Sequence, residues 1–220
     1  MSRLCSVRNY YNVMGTFSDL FNDTKQISLN SFENGFKFKD GDVLLLGGGA
    51  DISPSLYKQE PNRYCGASAS PSDRDAEERM IVQNAVRSGI PIVGICRGAQ
   101  LLCAMSGGSL YQHVVNHSGA NHTMITVDGD KLDVTSAHHQ MMNPMGSKHE
   151  LIAWAEDVMS PVHLIEGDSN VSVDIEPEVV YFKETKGLAI QYHPEFMARS
   201  EDAVEYARNL VQKYLINQEK

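Results

Sequence analysis

Residues 90–105 read Ile90-Pro91-Ile92-Val93-Gly94-Ile95-Cys96-Arg97-Gly98-Ala99-Gln100-Leu101-Leu102-Cys103-Ala104-Met105. The run from Ile90 to Ile95 is apolar without alternation, the mark of a strand buried on both faces. From Gly98 the composition turns helical until Ser106-Gly107-Gly108 ends it, so a strand, a tight turn and a helix follow one another. Upstream, Val43-Leu44-Leu45-Leu46 is a second unbroken apolar run, closed by Gly47-Gly48-Gly49, and reads as a central parallel strand. Between the two, Asp73 to Ser88 opens on acidic residues, carries Met80, Ile81, Ala85 and Val86, and stops at Gly89 and Pro91. A crossover helix fits that pattern. Buried strands alternating with helices predict an α/β fold: a three-layer α/β/α sandwich about a mostly parallel central sheet.

Beyond His122 the pattern changes. Met124 to Val127, Leu151 to Ala155, Val171 to Ile175 and Val179 to Phe182 are short β-rich pieces and are expected to be strands. Glu201 to Leu215 places Ala203, Val204, Ala207, Leu210, Val211 and Leu215 at helical spacing, which predicts a closing amphipathic helix. Met14 to Asn34 contains Gly15, Asn22, Asp23, Asn30 and Asn34, too many turn-favouring residues for a long helix, so the first βα unit is expected to be trimmed or irregular. No repeat or linker interrupts the chain. With 220 residues, 42% of them apolar, the expectation is a single domain over residues 1–220.

A formal net charge of −9, from 19 basic and 28 acidic residues, disfavours nucleic acid, whose phosphates are bound by Lys and Arg. No apolar run approaches the roughly 20 residues that span a bilayer, and Met1 to Tyr10 has no apolar signal core. The expectation is a soluble cytoplasmic protein with no membrane partner. Cys5, Cys65, Cys96 and Cys103 show no C-x-x-C pairing, in keeping with a reducing compartment.

Cys96 lies between Gly94 and Gly98 where strand gives way to helix. On such an elbow a nucleophile stands exposed above the strand ends, and the helix N-terminus favours thiolate and developing oxyanion. The pentapeptide alone is equally compatible with a buried structural thiol. The balance shifts about a hundred residues later, where the apolar Leu188-Ala189-Ile190 delivers Gln191-Tyr192-His193-Pro194-Glu195. His193 supplies a base with a near-neutral pKa, and Glu195 can fix its tautomer, so Cys96, His193 and Glu195 can form a triad.

Gly94-Ile95-Cys96-Arg97-Gly98-Ala99-Gln100 and His193-Pro194-Glu195 together resemble the nucleophile and distal motifs of class I glutamine amidotransferases. Within that flavodoxin-like superfamily the chain is most similar to the γ-glutamyl-γ-aminobutyrate hydrolase-like branch. Gly47-Gly48-Gly49-Ala50-Asp51-Ile52-Ser53-Pro54 with Tyr57, Arg74-Asp75, Gly107 to Gln112 and Ser136-Ala137-His138-His139-Gln140 carry that similarity. The resemblance implies a cysteine hydrolase that acts on a γ-glutamyl amide, glutamine or a γ-glutamyl-amine, through a γ-glutamyl thioester. The products are glutamate and ammonia or an amine. It further implies oxyanion amides from Gly48 or Gly49 and from the Arg97 backbone, contact of Gln100 with the glutamyl end, and a rim containing His138 and His139. An ordinary strand-ending turn accounts for one glycine of the loop but not three. Periodicity alone is equally compatible with a solvent-facing Gln100, and either histidine could be a hydrogen-bonded structural residue.

No cofactor is implied. Six of the eight histidines fall between His113 and His149, and His113 and His117 have helical i, i+4 spacing. Yet Asn116 and Gly119 weaken a helix there, no acidic or cysteine partner is suitably placed, and the triad needs no metal, so none is expected. Free-standing hydrolase, with room for a homodimer, is the first reading. A glutaminase subunit that passes ammonia to a separate synthetase or ligase is the alternative, and an inactive binding protein on the same fold is the third.

Overall fold

The computed structural model describes residues 2–217, apart from the side chain of Ala120. Thirteen strands follow in chain order. They are β1 (Arg3–Ser6), β2 (Asp23–Gln26), β3 (Val43–Leu46), β4 (Ile92–Ile95), β5 (Ser109–Tyr111), β6 (His113–Val114), β7 (Ser118–Thr126), β8 (Lys131–Ala137), β9 (Met141–Asn143), β10 (His149–Ala155), β11 (His163–Leu164), β12 (Pro177–Phe182) and β13 (Gly187–Ile190). Five α-helices accompany them: α1 (Val13–Phe17), α2 (Leu29–Glu33), α3 (Asp73–Arg87), α4 (Arg97–Met105) and α5 (Asp202–Val211).

Nine strands form one sheet in the order β2-β1-β3-β4-β13-β12-β10-β7-β8. β2, β1, β3, β4 and β13 pair in parallel, and β12, β10, β7 and β8 extend this core antiparallel. Because side chains alternate across a strand, one run serves both faces. Val43 and Leu45 join a cluster with Phe17, Ala207 and Val211 on the α1 and α5 side, whereas Leu44 and Leu46 join Ile81, Ala85, Leu101 and Leu102 on the α3 and α4 side. Three layers result, as the alternation of elements predicts.

α3 starts on a capping box, in which Ser72 Oγ accepts from the Asp75 N–H at 3.1 Å and the Asp75 carboxylate accepts from the Ser72 N–H at 3.0 Å. The first βα unit is indeed trimmed, with only five residues in α1 and left-handed backbone at Tyr11 and Asn12 just before it. The closing helix ends at Val211 and continues as a π-helical turn from Gln212 to Ile216. One expected strand is corrected: residues 171–175 form no ladder. The pairing there is an isolated bridge between Leu164 and Asn170, and Val171 and Val173 pack on Tyr111, Val114 and Met141 as a satellite cluster. Among the described residues, no helix is long and apolar enough to cross a membrane.

Candidate functional site

The carboxyl ends of β3, β4 and β13 lie side by side because these strands pair in parallel. In open α/β sheets, ligands bind at that edge. Gly47-Gly48-Gly49 leaves β3, Cys96 leaves β4, and His193 follows β13 by three residues. Cys96 has φ +49° and ψ −105°, a conformation costing about 1–3 kcal/mol for a residue with a β-carbon. Its N–H donates to Ile190 O at 2.8 Å and its carbonyl accepts from the Gln100 N–H at 3.0 Å, so the two adjoining elements hold the elbow. A β-carbon on Gly98 would overlap the Leu46 backbone, which explains the glycine that follows the elbow.

His193 Nδ1 lies 2.8 Å from Glu195 Oε1, and the imidazole and Cys96 flank the same point on Gly48. Burial pulls the His193 pKa down, but its neighbours Cys96 and Glu195 outweigh it and raise the value to about 10. The ring stacks on Phe196 at 4.5 Å between centroids and 11° between planes. Thr135 Oγ1 donates to His193 O at 2.9 Å, and Tyr192 OH donates to Ala203 O at 2.9 Å. These bonds fix the segment that carries the imidazole. The structure thus brings together Cys96, His193 and Glu195.

Gly48 passes over the pair. A β-carbon there would sit 2.9 Å from His193 Cε1 and 3.8 Å from Cys96 Cβ, so glycine alone lets the loop approach. Gly49 adopts φ +146° with Arg74 packed where a side chain would go. Arg74 Nη2 donates to Gly48 O at 3.0 Å while its Nε donates to Glu78 Oε1 at 2.8 Å. The Arg97 guanidinium, only 1% exposed, bonds Asp75 Oδ1 at 2.5 Å and Glu78 Oε2. Four charged side chains therefore clamp α3 to the loop after β3 and to the start of α4. The expectation concerned only the Arg97 backbone; its side chain turns out to be an interior brace. Glu78 carried no signal beyond its i, i+4 relation to Arg74.

A cavity of about 340 Å³ opens beside Cys96, walled by Gly49, Asp51, Gly66, Gln100, His138 and His139. Gln100 is buried rather than solvent-facing, and its Nε2 donates to Gln140 O at 2.9 Å. His138 Nδ1 donates to the same carbonyl at 2.9 Å. Burial, reinforced by the neighbouring His117, drives the His138 pKa well below its ordinary value. His139 Nε2 lies 3.0 Å from Asp51 Oδ2, and that hydrogen bond raises the His139 pKa. Asp51 also accepts from the Gly66 N–H at 2.8 Å. Its role rests on a partner 88 residues away, beyond the reach of local pattern. Elsewhere Cys5 and Cys103 are buried, and burial pushes the Cys5 thiol up to about 12 and the Cys103 thiol above its ordinary range.

The model of the family described as Peptidase C26 matches residues 37–195. The Mycobacterium tuberculosis protein "Putative glutamine amidotransferase Rv2859c" is 32% identical over 175 residues, covering 70% of this chain and 50% of that protein. "Putative glutamine amidotransferase-like protein YvdE" of Lactococcus lactis is 31% identical over 174 residues, covering 70% of this chain and 66% of its own length. The matched stretches thus span between half and two thirds of these relatives. Among solved structures, a "putative gmp synthase subunit a protein" from Thermoplasma acidophilum superposes with TM-score 0.63 at 17% identity, covering 97% of this chain and 92% of that one. At that identity the likeness concerns the fold.

Proposed function

Because the chain belongs to the Peptidase C26 family of class I glutamine amidotransferase-like proteins, we propose that it hydrolyses a γ-glutamyl amide with Cys96 as nucleophile. The observation that carries this reading is the placement of a Glu195-bonded His193 beside a cysteine whose backbone φ is positive. His193 takes the thiol proton as Cys96 Sγ adds to the γ-carbonyl, and the backbone N–H groups of Arg97 and of Gly48 or Gly49 receive the oxyanion. His193 passes a proton to the departing ammonia or amine as the C–N bond breaks, leaving a γ-glutamyl thioester. A water that gives its proton back to His193 then attacks the thioester, releasing glutamate and restoring the thiol. Glu195 holds the imidazole and balances its charge.

The cavity suits a glutamyl head. That group carries an ammonium and a carboxylate, and the wall offers Asp51 and His139 as a bonded pair of opposite character, with Gln100 beside them. The matching experiment supplies purified chain with glutamine and a set of γ-glutamyl amines and follows glutamate release, with Cys96→Ser as control. Saturating turnover of at least one substrate is the expected outcome. No turnover of any of them, alone or with cell extract, overturns the reading.

One observation favours the glutaminase-subunit alternative. Tyr11 is 69% exposed and Phe196 46% exposed, and they meet edge to face at 5.2 Å beside His193, an apolar rim that a synthetase could cover. The free-standing reading predicts that cell extract adds little to the rate, since the Arg74 and Glu78 clamp holds the Gly48 loop without help. Idle isolated chain that gains orders of magnitude from a synthetase supports the alternative.

A further inference from the structure

Behind the cavity wall lies a second polar cluster that the chemistry above does not use. Ligand-type atoms of His117, His138 and Glu178, all buried, lie within 4.8 Å of one another. Glu178 arrives from a slip in the sheet. Val179 faces Ala153 and Pro177 faces Trp154, which leaves Glu178 unpaired on the β10 side and free to turn inward. Sequence spacing around the histidines showed no acidic partner because this one comes from a strand that begins 60 residues after His117.

His138 and Glu178 each have one polar atom without a hydrogen-bond partner, and in His117 the second ring nitrogen meets only a hydroxyl. His117 Nε2 lies 3.0 Å from Glu176 Oε2. Glu176 Oε2 also accepts from the Met159 N–H at 2.8 Å, and Oε1 accepts from the Ser160 N–H at 2.9 Å. With both oxygens acting as acceptors, His117 Nε2 carries the proton and Nδ1 carries the lone pair. Ser136 Oγ stands 3.4 Å from that Nδ1, yet its hydrogen goes to His117 O at 2.6 Å. His138 donates through Nδ1 to Gln140 O, which leaves Nε2 unprotonated and without a hydrogen-bond partner. Glu178 Oε1 takes the His122 Nε2 hydrogen bond at 3.1 Å, and Oε2 has no partner. Three lone pairs thus converge in the interior with no proton aimed at them, an arrangement that buried polar groups avoid unless something fills it.

We propose that His117 Nδ1, His138 Nε2 and Glu178 Oε2 bind a divalent transition-metal ion of the zinc class. Two imidazoles and one carboxylate suit such an ion better than calcium or magnesium, which favour all-oxygen shells. Each ligand already has the outer partner that metal-bound groups require: Glu176 behind His117, the Gln140 carbonyl behind His138, His122 behind Glu178. Water completes the shell, and Gln191 can hold it. The Gln191 N–H donates to Glu178 O at 2.8 Å, and neither amide atom of its buried side chain has a partner. His138 lines the cavity, which gives the ion a route in. Bound there, it would lock His138 and, through the shared Gln140 carbonyl, the position of Gln100.

The test uses the full chain as Cys96→Ser, so that the elbow thiol takes no metal, stripped with a chelator and titrated with Co²⁺. One equivalent with visible ligand-field bands, displaced by Zn²⁺, is expected. Glu178→Gln and, separately, His138→Gln should weaken Co²⁺ binding by at least about 100-fold, since even outer partners are worth 10- to 100-fold. Absence of the bands, or binding that ignores both substitutions, overturns the proposal and leaves a water-filled cluster. Anomalous diffraction at the zinc edge from a zinc-soaked crystal decides the matter without any variant at these positions. A peak among the three side chains supports the site, and its absence there overturns it.

Discussion

Arg74 donates to the carbonyl of Gly48 at 3.0 Å, from a guanidinium that Glu78 holds at 2.8 Å. The bond orients a peptide that lies against both Cys96 and His193, so a residue on α3 governs the aim of an amide at the proposed reaction centre. Replacing Arg74 by Met should lower kcat about 10²-fold, the order lost when one oxyanion donor is removed. Steady-state kinetics with a small γ-glutamyl amide checks it, and an unchanged kcat contradicts the clamp.

Glu78→Ala should act on stability instead. It leaves the Arg97 guanidinium, buried at 1% exposure, with one of its two carboxylate partners and deprives Arg74 of its own. Breaking a buried pair costs about 3–5 kcal/mol, readable as a shifted urea midpoint. Glu78→Gln, which keeps the shape, should cost less.

At Cys96 the usual ranking of glycine and alanine should invert. With φ +49° and ψ −105°, any β-carbon is strained by about 1–3 kcal/mol, whereas the entropic cost of glycine is only about 0.5–1 kcal/mol. Cys96→Gly is therefore expected to unfold at higher denaturant than Cys96→Ala, with both inactive. Equal or reversed midpoints would show that the elbow is not strained.

His193 gives a pH signature. Its folded pKa is raised to about 10, against an ordinary value of about 6.5. A raised value means that the native state binds the proton more tightly, so the stabilisation is complete below about pH 6.5 and disappears as pH climbs to about 10. Cys96→Ala removes one of the two neighbours that raise it. The wild-type chain should accordingly lose stability more steeply than this variant between pH 7 and 10, and parallel curves would refute the coupling.

Asp51→Asn is expected to raise KM for a γ-glutamyl amide about 10- to 100-fold, as for one lost charge-assisted hydrogen bond, with a smaller change in kcat. The carboxylate lines the cavity, where His139 and the Gly66 N–H hold it. A simple acyl amide, which lacks the amino acid head, should be insensitive to the substitution.

The strand, elbow and helix from Ile92 to Met105 were legible because burial on both faces and local composition decide them within one short stretch. The same logic failed at Val171 to Ile175. There, apolar side chains report a satellite cluster around Tyr111, and backbone pairing stops at the bridge to Leu164 and the Val171 N–H to His163 O bond. Cys96, His193 and Glu195 were legible as motifs. Asp51, Glu78 and Glu178 were not, since each matters through a partner distant in sequence or through a register slip that no periodicity encodes.

β13, which ends at Ile190, comes last in chain order among the described strands, yet it sits in the interior of the sheet between β4 and β12. A nascent chain that has not yet produced Gly187 must leave one edge of β4 open, and the elbow then lacks the Ile190 carbonyl that anchors Cys96. Non-local pairing of this kind comes late in folding. The Cys96 elbow therefore gains its backbone anchor and its imidazole from one and the same segment, made long after the elbow itself.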